Sequence, residues 1–386
     1  MTASAAVALA AAPWLALPLA LLWRMKDQRS LDEYPAEAPS PAPLVSVIVP
    51  ARDEARNIEP CLRSILTTSW PNMELIVVDD HSTDGTGDIA RRVGAGDARV
   101  LVVANPDLPD GWFGKQWACH NGALVARGSH LLFTDADTRH GADLIARSMN
   151  AAAARRADLF SVAGSQALGT FWERVVQPHI FALILMRYGG TERVSRSHDP
   201  LQKIANGQFM LVTRRAYDAA GGHEAVRTHV AEDLRLAQEW CRRGLSVQIV
   251  TGLDQMSTRM YDGLGELVRG WGKNVYAAGR DTVPLGPWGQ AVLRVIFPLP
   301  ALWEIGPAVI ALLALAGFAS PVVGAWAGIC YAASALFWMV IYASMRQPLR
   351  YALLHPLGSL VVFWIFAHAA WRGAHVEWRG RRYLSQ

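Results

Sequence analysis

Ser129-His130-Leu131-Leu132-Phe133-Thr134-Asp135-Ala136-Asp137 is the stretch on which the fold of this chain turns. Leu131-Leu132-Phe133 is apolar without alternation, as in a short strand buried on both faces. Two carboxylates follow at the strand's exit, two residues apart. Oxygen ligands in that position suit Mg2+ or Mn2+, which keep several waters and bind substrate phosphates at the same time. Taken alone, an Asp-x-Asp pair reads better as a solvated turn; the sequence on either side reverses that balance.

Working outward, two more strands end in the same way. Leu44-Val45-Ser46-Val47-Ile48-Val49-Pro50 runs into Ala51-Arg52-Asp53-Glu54, and Glu74-Leu75-Ile76-Val77-Val78 runs into Asp79-Asp80. Val100-Leu101-Val102-Val103 supplies a third run. Between them lie a helical pattern (Ile58, Leu62, Ile65, Leu66), a capping turn (His81-Ser82-Thr83-Asp84-Gly85-Thr86) and a helix over 117–126. Strands alternating with helices predict a doubly wound parallel sheet, in which ligands sit beyond the carboxyl ends of the strands. The acids after all three exits then share one edge. Past residue 150 the pattern loosens. Phe171–Tyr188 reads equally as a core helix or one lying in a membrane interface. Asn206–Val212 reads as a strand and Gly221-Gly222-His223 as a turn. Ala231–Ala237 starts a helix whose first acids, Glu232 and Asp233, at the least complement its dipole.

The ends of the chain have a different composition. Ala3–Trp23, Ile305–Met345 and Tyr351–Ala370 carry no Asp, Glu, Lys or Arg, and about 20 such residues cross a bilayer. The first run lacks a basic residue before it and is followed by Arg24, Lys26 and Arg29, so it reads as an anchor with its following domain in the cytoplasm, not as a cleaved signal. The expected layout is an anchor over 1–24, a Pro/Ala-rich linker over 25–43, an α/β domain over 44–285, membrane helices over 290–371 and a basic tail over 372–386. The Gly-, Pro- and aromatic-rich segment from Trp271 to Leu299 is expected at the interface. Three C-terminal spans are expected, over about 297–318, 321–345 and 351–370; they would leave the tail outside, against the positive-inside rule, and Glu304 makes the first a poor span, for which an interfacial or re-entrant helix is the alternative. Cys61, Cys119, Cys241 and Cys330 show no metal or disulfide spacing. A net charge of +4 without an aromatic-interleaved basic patch gives no sign of a nucleic-acid partner.

With these motifs assembled, the chain resembles the family 2 inverting glycosyltransferases over about residues 44–279. The resemblance rests on Val47-Ile48-Val49-Pro50 to Glu54, Val78-Asp79-Asp80-His81-Ser82-Thr83-Asp84-Gly85-Thr86, Gly114-Lys115 to Gly128, Thr134-Asp135-Ala136-Asp137 and Glu232-Asp233, in that order. Gly111-Trp112-Phe113-Gly114-Lys115-Gln116-Trp117-Ala118 is similar to the membrane-bound subset that glycosylates lipids, including hopene-associated, carotenoid and, more distantly, ceramide glucosyltransferases. The resemblance implies a GT-A fold, Rossmann-like in its nucleotide-diphospho-sugar domain, joined to transmembrane helices. It implies Asp233 as general base with Glu232 orienting it, and a divalent metal (Mg2+ or Mn2+) on Asp135 and Asp137, with Asp137 the direct ligand. It also implies a nucleotide site of Pro50, Ala51, Glu54, Asp79, Asp80, Lys115 and Asp135, and Arg269 and Trp271 toward the diphosphate or acceptor. The implied partners are a UDP-sugar donor, a lipid acceptor bearing a hydroxyl, and the cell membrane, crossed several times. Two departures matter: Ala118-Cys119-His120 stands where the family often has Ala-Leu-Asn, and Arg269-Gly270-Trp271 departs from Gln-x-x-Arg-Trp. The second counts against polymer synthesis. A polyprenyl-phosphate sugar synthase, a polysaccharide synthase and a catalytically dead membrane scaffold are the alternative readings.

Overall fold

The computed structural model describes residues 3–272, 288–289, 291–292, 299–372, 375–378 and 381–384. Most of the segment from Trp271 to Leu299 lies outside these residues, as do Lys273, Asn274 and Ser385. The chain divides into two units. One comprises 28–167, 191–260 and 374–386; the other comprises 1–27, 168–190 and 261–373.

Helix α1 (Ala3–Met25) opens the second unit. The first unit then runs β1 (Val45–Ala51), α2 (Ile58–Leu66), β2 (Met73–Asp79), α3 (Thr86–Gly94), β3 (Val100–Ala104), α4 (Gly114–Val125), β4 (His130–Phe133), β5 (Thr138–His140), α5 (Leu144–Ala154), β6 (Leu159–Ala163) and β7 (Ser165–Gln166). After α6 (Phe171–Tyr188), which belongs to the second unit, come α7 (Thr191–Arg196), β8 (Met210–Thr213), α8 (Arg214–Ala219), α9 (Glu232–Arg242), β9 (Val247–Thr251) and β10 (Met256–Thr258).

Seven strands form the main sheet in the order β3-β2-β1-β4-β8-β6-β9. Val45, Val47 and Val49 face a core with Ile58, Leu62 and Ile65, whereas Ile48 faces Ala118, Cys119 and Trp240 on the other side. Covering both faces is what makes these strands continuously apolar. The sheet is not wholly parallel, as the alternation suggested: β8 runs antiparallel to both β4 and β6. Phe133 pairs with Met210, so residues leaving β4 lie opposite residues entering β8. Asn206 and Gly207 therefore belong to the loop before β8, not to the strand itself. A three-stranded sheet, β5-β10-β7, stands beside the main one.

Residues 30–43 are bound along the first unit. Arg147 donates to the carbonyls of Asp32 and Tyr34, Asn150 to those of Pro35 and Glu37, and Trp70 to that of Pro43. Arg29 offers its carbonyl to Thr251 N and Oγ1.

In the second unit, α1 accompanies α6 and helices at Leu299–Leu315, Pro321–Ser344 and His355–Arg372. Leu9, Leu19, Leu315, Leu336 and Trp371 are exposed on them. Among the described residues three segments are long and apolar enough to cross a membrane: Ser4–Met25, Pro321–Ser344 and Leu349–Ala369. The helix Leu299–Leu315 is shorter and contains Glu304, which Trp338 Nε1 and His355 Nδ1 approach at 3.3 and 3.1 Å.

Candidate active site

The loops after β1 and β2 are stitched together by short polar side chains. Asp53 takes a left-handed φ of 52° and its Oδ1 accepts from Thr83 N at 2.8 Å. Glu54 N donates to Thr86 Oγ1 and Ala55 N to Asp84. Pro50 and Ala51 thus end β1 against a rigid turn. Asp80 is buried; it accepts from Asn105 Nδ2 at 2.9 Å and faces Arg52 at 3.5 Å. Asp79, the last residue of β2, accepts from Ser82 N and lies against Gly87, where a Cβ would fall 2.2 Å from Asp79 Oδ2. Only glycine lets α3 start that close to the carboxylate.

Lys115 lies in the first turn of α4 and bridges two acids. Its Nζ is 2.8 Å from Asp135 Oδ1 and 2.7 Å from Glu232 Oε1. Burial opposes the charge on Lys115, but Asp135 and Glu232 outweigh it and hold the ammonium protonated. Burial likewise works to raise Glu232, and Lys115 overcomes it, so Glu232 stays below the usual carboxylate range. Asp233 goes the other way: burial, then the neighbouring Glu232 charge, push it up to about 6. Its Oδ2 accepts from Gly207 N at 2.8 Å and its Oδ1 from Leu234 N at 2.7 Å. The antiparallel β8 brings Gly207 to the edge where β4 ends, and this seats Asp233 near Asp135. Adjacent carboxylates driven to different ionisation states are the arrangement that divides acid, base and electrostatic roles.

Asp137 Oδ1 is buried with no hydrogen-bond partner. Burial, Asp135 and Glu54 push this carboxyl up to about 8. A buried carboxyl that neighbouring acids hold against ionisation, with Lys115 the opposing charge, fits a cation. Among the described residues no three His, Cys, Asp or Glu side chains converge on one point, so Asp135 and Asp137 offer at most two protein ligands. The remaining ligands would be waters and phosphate oxygens, as Mg2+ and Mn2+ favour.

Behind this edge is a buried polar network that sequence reasoning missed. Thr134 Oγ1 donates to Gln208 O at 2.7 Å and lies 3.0 Å from His140 Nε2. Thr258 Oγ1 donates to Gln208 Oε1. These bonds fasten the exit of β4 to the entry of β8 and to the small sheet. Asp135, Asp137, Lys115, Glu232 and Asp233 are brought together. Arg269 and Trp271 belong to the other unit, where Trp271 is buried edge-on against Phe181 and Tyr261.

Residues 46–220 match the family described as Glycosyl transferase family 2. They are a family 2 glycosyl transferase domain. This transferase domain holds every expected nucleotide and metal residue; Glu232 and Asp233 lie just beyond it. A 4,4'-diaponeurosporenoate glycosyltransferase of Staphylococcus haemolyticus is 30% identical over 271 residues, covering 68% of this chain and 66% of the relative. A protein of the same description from Staphylococcus aureus is 31% identical over 247 residues, covering 62% of this chain and 63% of the relative. The chain thus spans just under two thirds of the length of these curated relatives. A mannosyltransferase from Pyrobaculum calidifontis, solved with GDP-Man and Mn2+, is 19% identical with a TM-score of 0.53, covering 92% of this chain and 96% of that chain. That likeness is one of fold, and the transferase domain has the GT-A architecture.

Proposed function

We propose that the protein is a membrane-bound inverting glycosyltransferase that moves a sugar from a nucleotide-diphosphate donor to the hydroxyl of a membrane lipid. The observation that carries this is the seating of Asp233, raised to about 6, on the same edge as Lys115, Asp135 and Asp137. A base titrating just below neutral pH is ionised when needed and still accepts a proton well. The acceptor oxygen attacks the anomeric carbon, its proton passes to Asp233, and the bond to the diphosphate breaks on the opposite side.

Pro50, Ala51, Glu54, Asp79 and Asp80 form the nucleoside side of the site, with a UDP-sugar as donor. Lys115 is the cation for the leaving diphosphate. Asp135 and Asp137 hold a divalent metal, which when bound supplies charge neutralisation at the same diphosphate. The Mn2+ complex of the archaeal mannosyltransferase supports that reading. The named acceptor of the staphylococcal relatives and the apolar segments flanking the domain support an acceptor dissolved in the bilayer. Arg24, Lys26 and Arg29 after the first span favour a cytoplasmic domain.

The test compares wild type with Asp233→Asn, which keeps volume and an acceptor oxygen but not basicity. Nucleotide binding stays at the parental value while transfer to extracted lipid falls roughly 10²- to 10⁴-fold. Parental transfer by the variant would move the base elsewhere, first to Glu232. Label only in water-soluble product or polymer would remove the lipid acceptor.

A further inference from the structure

The two hydrogen bonds on Asp233 differ in kind. That from Leu234 N stays within α9, whereas that from Gly207 N reaches the carboxylate from the turn before β8. Phe209 N donates to Asn206 O at 3.0 Å and closes this turn over Gly207 and Gln208. Gln208 N donates to Asn206 Oδ1 at 3.3 Å, so the Asn206 side chain stiffens the turn from within, as an Asx turn does. Asn206 Nδ2 donates to Val162 O of β6 at 2.8 Å. Ser161, the preceding residue of β6 and fully buried, accepts from Asn206 N at 2.8 Å and donates to Phe209 O at 2.9 Å.

The N–H groups of residues 206, 208 and 209 are thus spent on Ser161 and on the turn itself, and that of Gly207 is aimed at Asp233. Gly207 does not take a left-handed φ, so glycine serves here as clearance. A Cβ would stand 2.9 Å from Asp233 Oδ2 and 3.3 Å from its Cγ. Held within α9 alone, the carboxylate could still turn about its broad terminal torsion. The Gly207 bond removes that freedom by tying it to a turn fastened to β6 and, through Gln208, to Thr134 and Thr258.

We propose that Ser161 and Asn206 are positioning residues for the transfer: they aim the Gly207 N–H, and that N–H holds the Asp233 carboxylate facing the acceptor hydroxyl. The idea rests on the transferase reading above, with Asp233 as base. A general base must lie within hydrogen-bond reach of the proton it takes, and a misplacement of about 1 Å can cost roughly 10²-fold in rate. Ser161 and Asn206 act through the turn, so their effect exists only while Asp233 is there to be held.

The experiment uses the full chain in detergent as wild type, Asn206→Ala, Asn206→Ser, Ser161→Ala, Asp233→Asn, and Asn206→Ala and Ser161→Ala each combined with Asp233→Asn. Binding of UDP and of GDP with Mn2+ is measured by calorimetry, lipid glycosylation by kcat and donor KM, and integrity by thermal melting. Asn206→Ala and Ser161→Ala should bind nucleotide as wild type does and lose about tenfold or more in kcat at an unchanged donor KM, the scale of a hydrogen bond to a charged group. Asn206→Ser, whose hydroxyl can still accept from Gln208 N, should recover part of the loss. On the Asp233→Asn background, Asn206→Ala should cost nothing further, because residues that act as one unit are not additive. Parental kcat in Asn206→Ala and Ser161→Ala would overturn the proposal. So would the full loss repeated on the Asp233→Asn background, which is the mark of general damage. If Asn206→Ala does not fold, Ser161→Ala and its combination with Asp233→Asn decide in the same way. Parental transfer by Asp233→Asn would remove the base and the proposal with it; a slow Asp233→Asn beside a parental Asn206→Ala would remove the positioning role alone.

Discussion

Lys115, Glu232 and Asp233 behave as one charge set, and their ionisation states depend on each other. As the proposed base, Asp233 would work only when deprotonated, so with a folded value raised to about 6 the rate should fall as pH drops through 6, about tenfold per unit below it. Glu232 is the neighbouring charge that helps raise Asp233. In Glu232→Gln the acidic limb of kcat/KM should therefore move to lower pH; an unmoved limb would show that Glu232 does not tune the base. Asp137 makes a separate prediction. Its buried Oδ1 lacks a partner and its carboxyl is raised to about 8, so above the ordinary carboxylate range the metal-free protein must take up a proton there on folding, at a cost in stability. In chelator, Asp137→Asn should melt a few degrees above wild type, equivalent to about 1 kcal/mol or more. With Mn2+ restored, wild type alone should regain transfer. Full activity of wild type in chelator would remove the metal from the reaction.

At the scale of elements, the strand exits were legible because each is local. An apolar run followed by acids can be read at β1, β2 and β4 without knowing any partner. The seating of Asp233 was not legible, because it depends on β8 running antiparallel and on the backbone N–H of Gly207, and neither leaves a mark in nearby sequence. The Lys115 bridge was hidden for the same reason: Lys115 read as a cation for the diphosphate, whereas its two carboxylates lie far along the chain at Asp135 and Glu232. Thr134 stood out only as part of a motif and Gln208 only within a strand, and nothing marked His140; the fold pairs all three. Gly87 offers a test at this scale. Alanine is the better helix former by about 1 kcal/mol, so Gly87→Ala should leave α3 intact. Its Cβ, however, would fall on Asp79 Oδ2. Melting temperature should hold while nucleotide affinity drops several-fold; parental affinity would take Asp79 out of the nucleotide site.

For the whole molecule, the number of crossings decides where the tail lies. The transferase unit is left at residue 260. Of the C-terminal helices, two have the length and composition of spans, Pro321–Ser344 and Leu349–Ala369. If those two alone cross, the tail lies on the side of the domain, and the basic residues after 371 lie where the positive-inside rule wants them. The helix Leu299–Leu315, with Glu304, then need not cross. A cysteine placed at Ser385 should react with an impermeant reagent only after lysis; Cys61, Cys119 and Cys330 are buried and Cys241 can be replaced. Labelling on intact cells would restore a third crossing. The binding of residues 30–43 has a further consequence, for the order of assembly. The carbonyl of Arg29 meets Thr251 across 222 positions of chain, and contacts of such separation close late. During synthesis the apolar N-terminal helix emerges while its clasp still awaits β9. A fragment begun at Leu44 would be released from the anchor but would also lack that closing contact, and should unfold at lower denaturant than the transferase unit in the full chain.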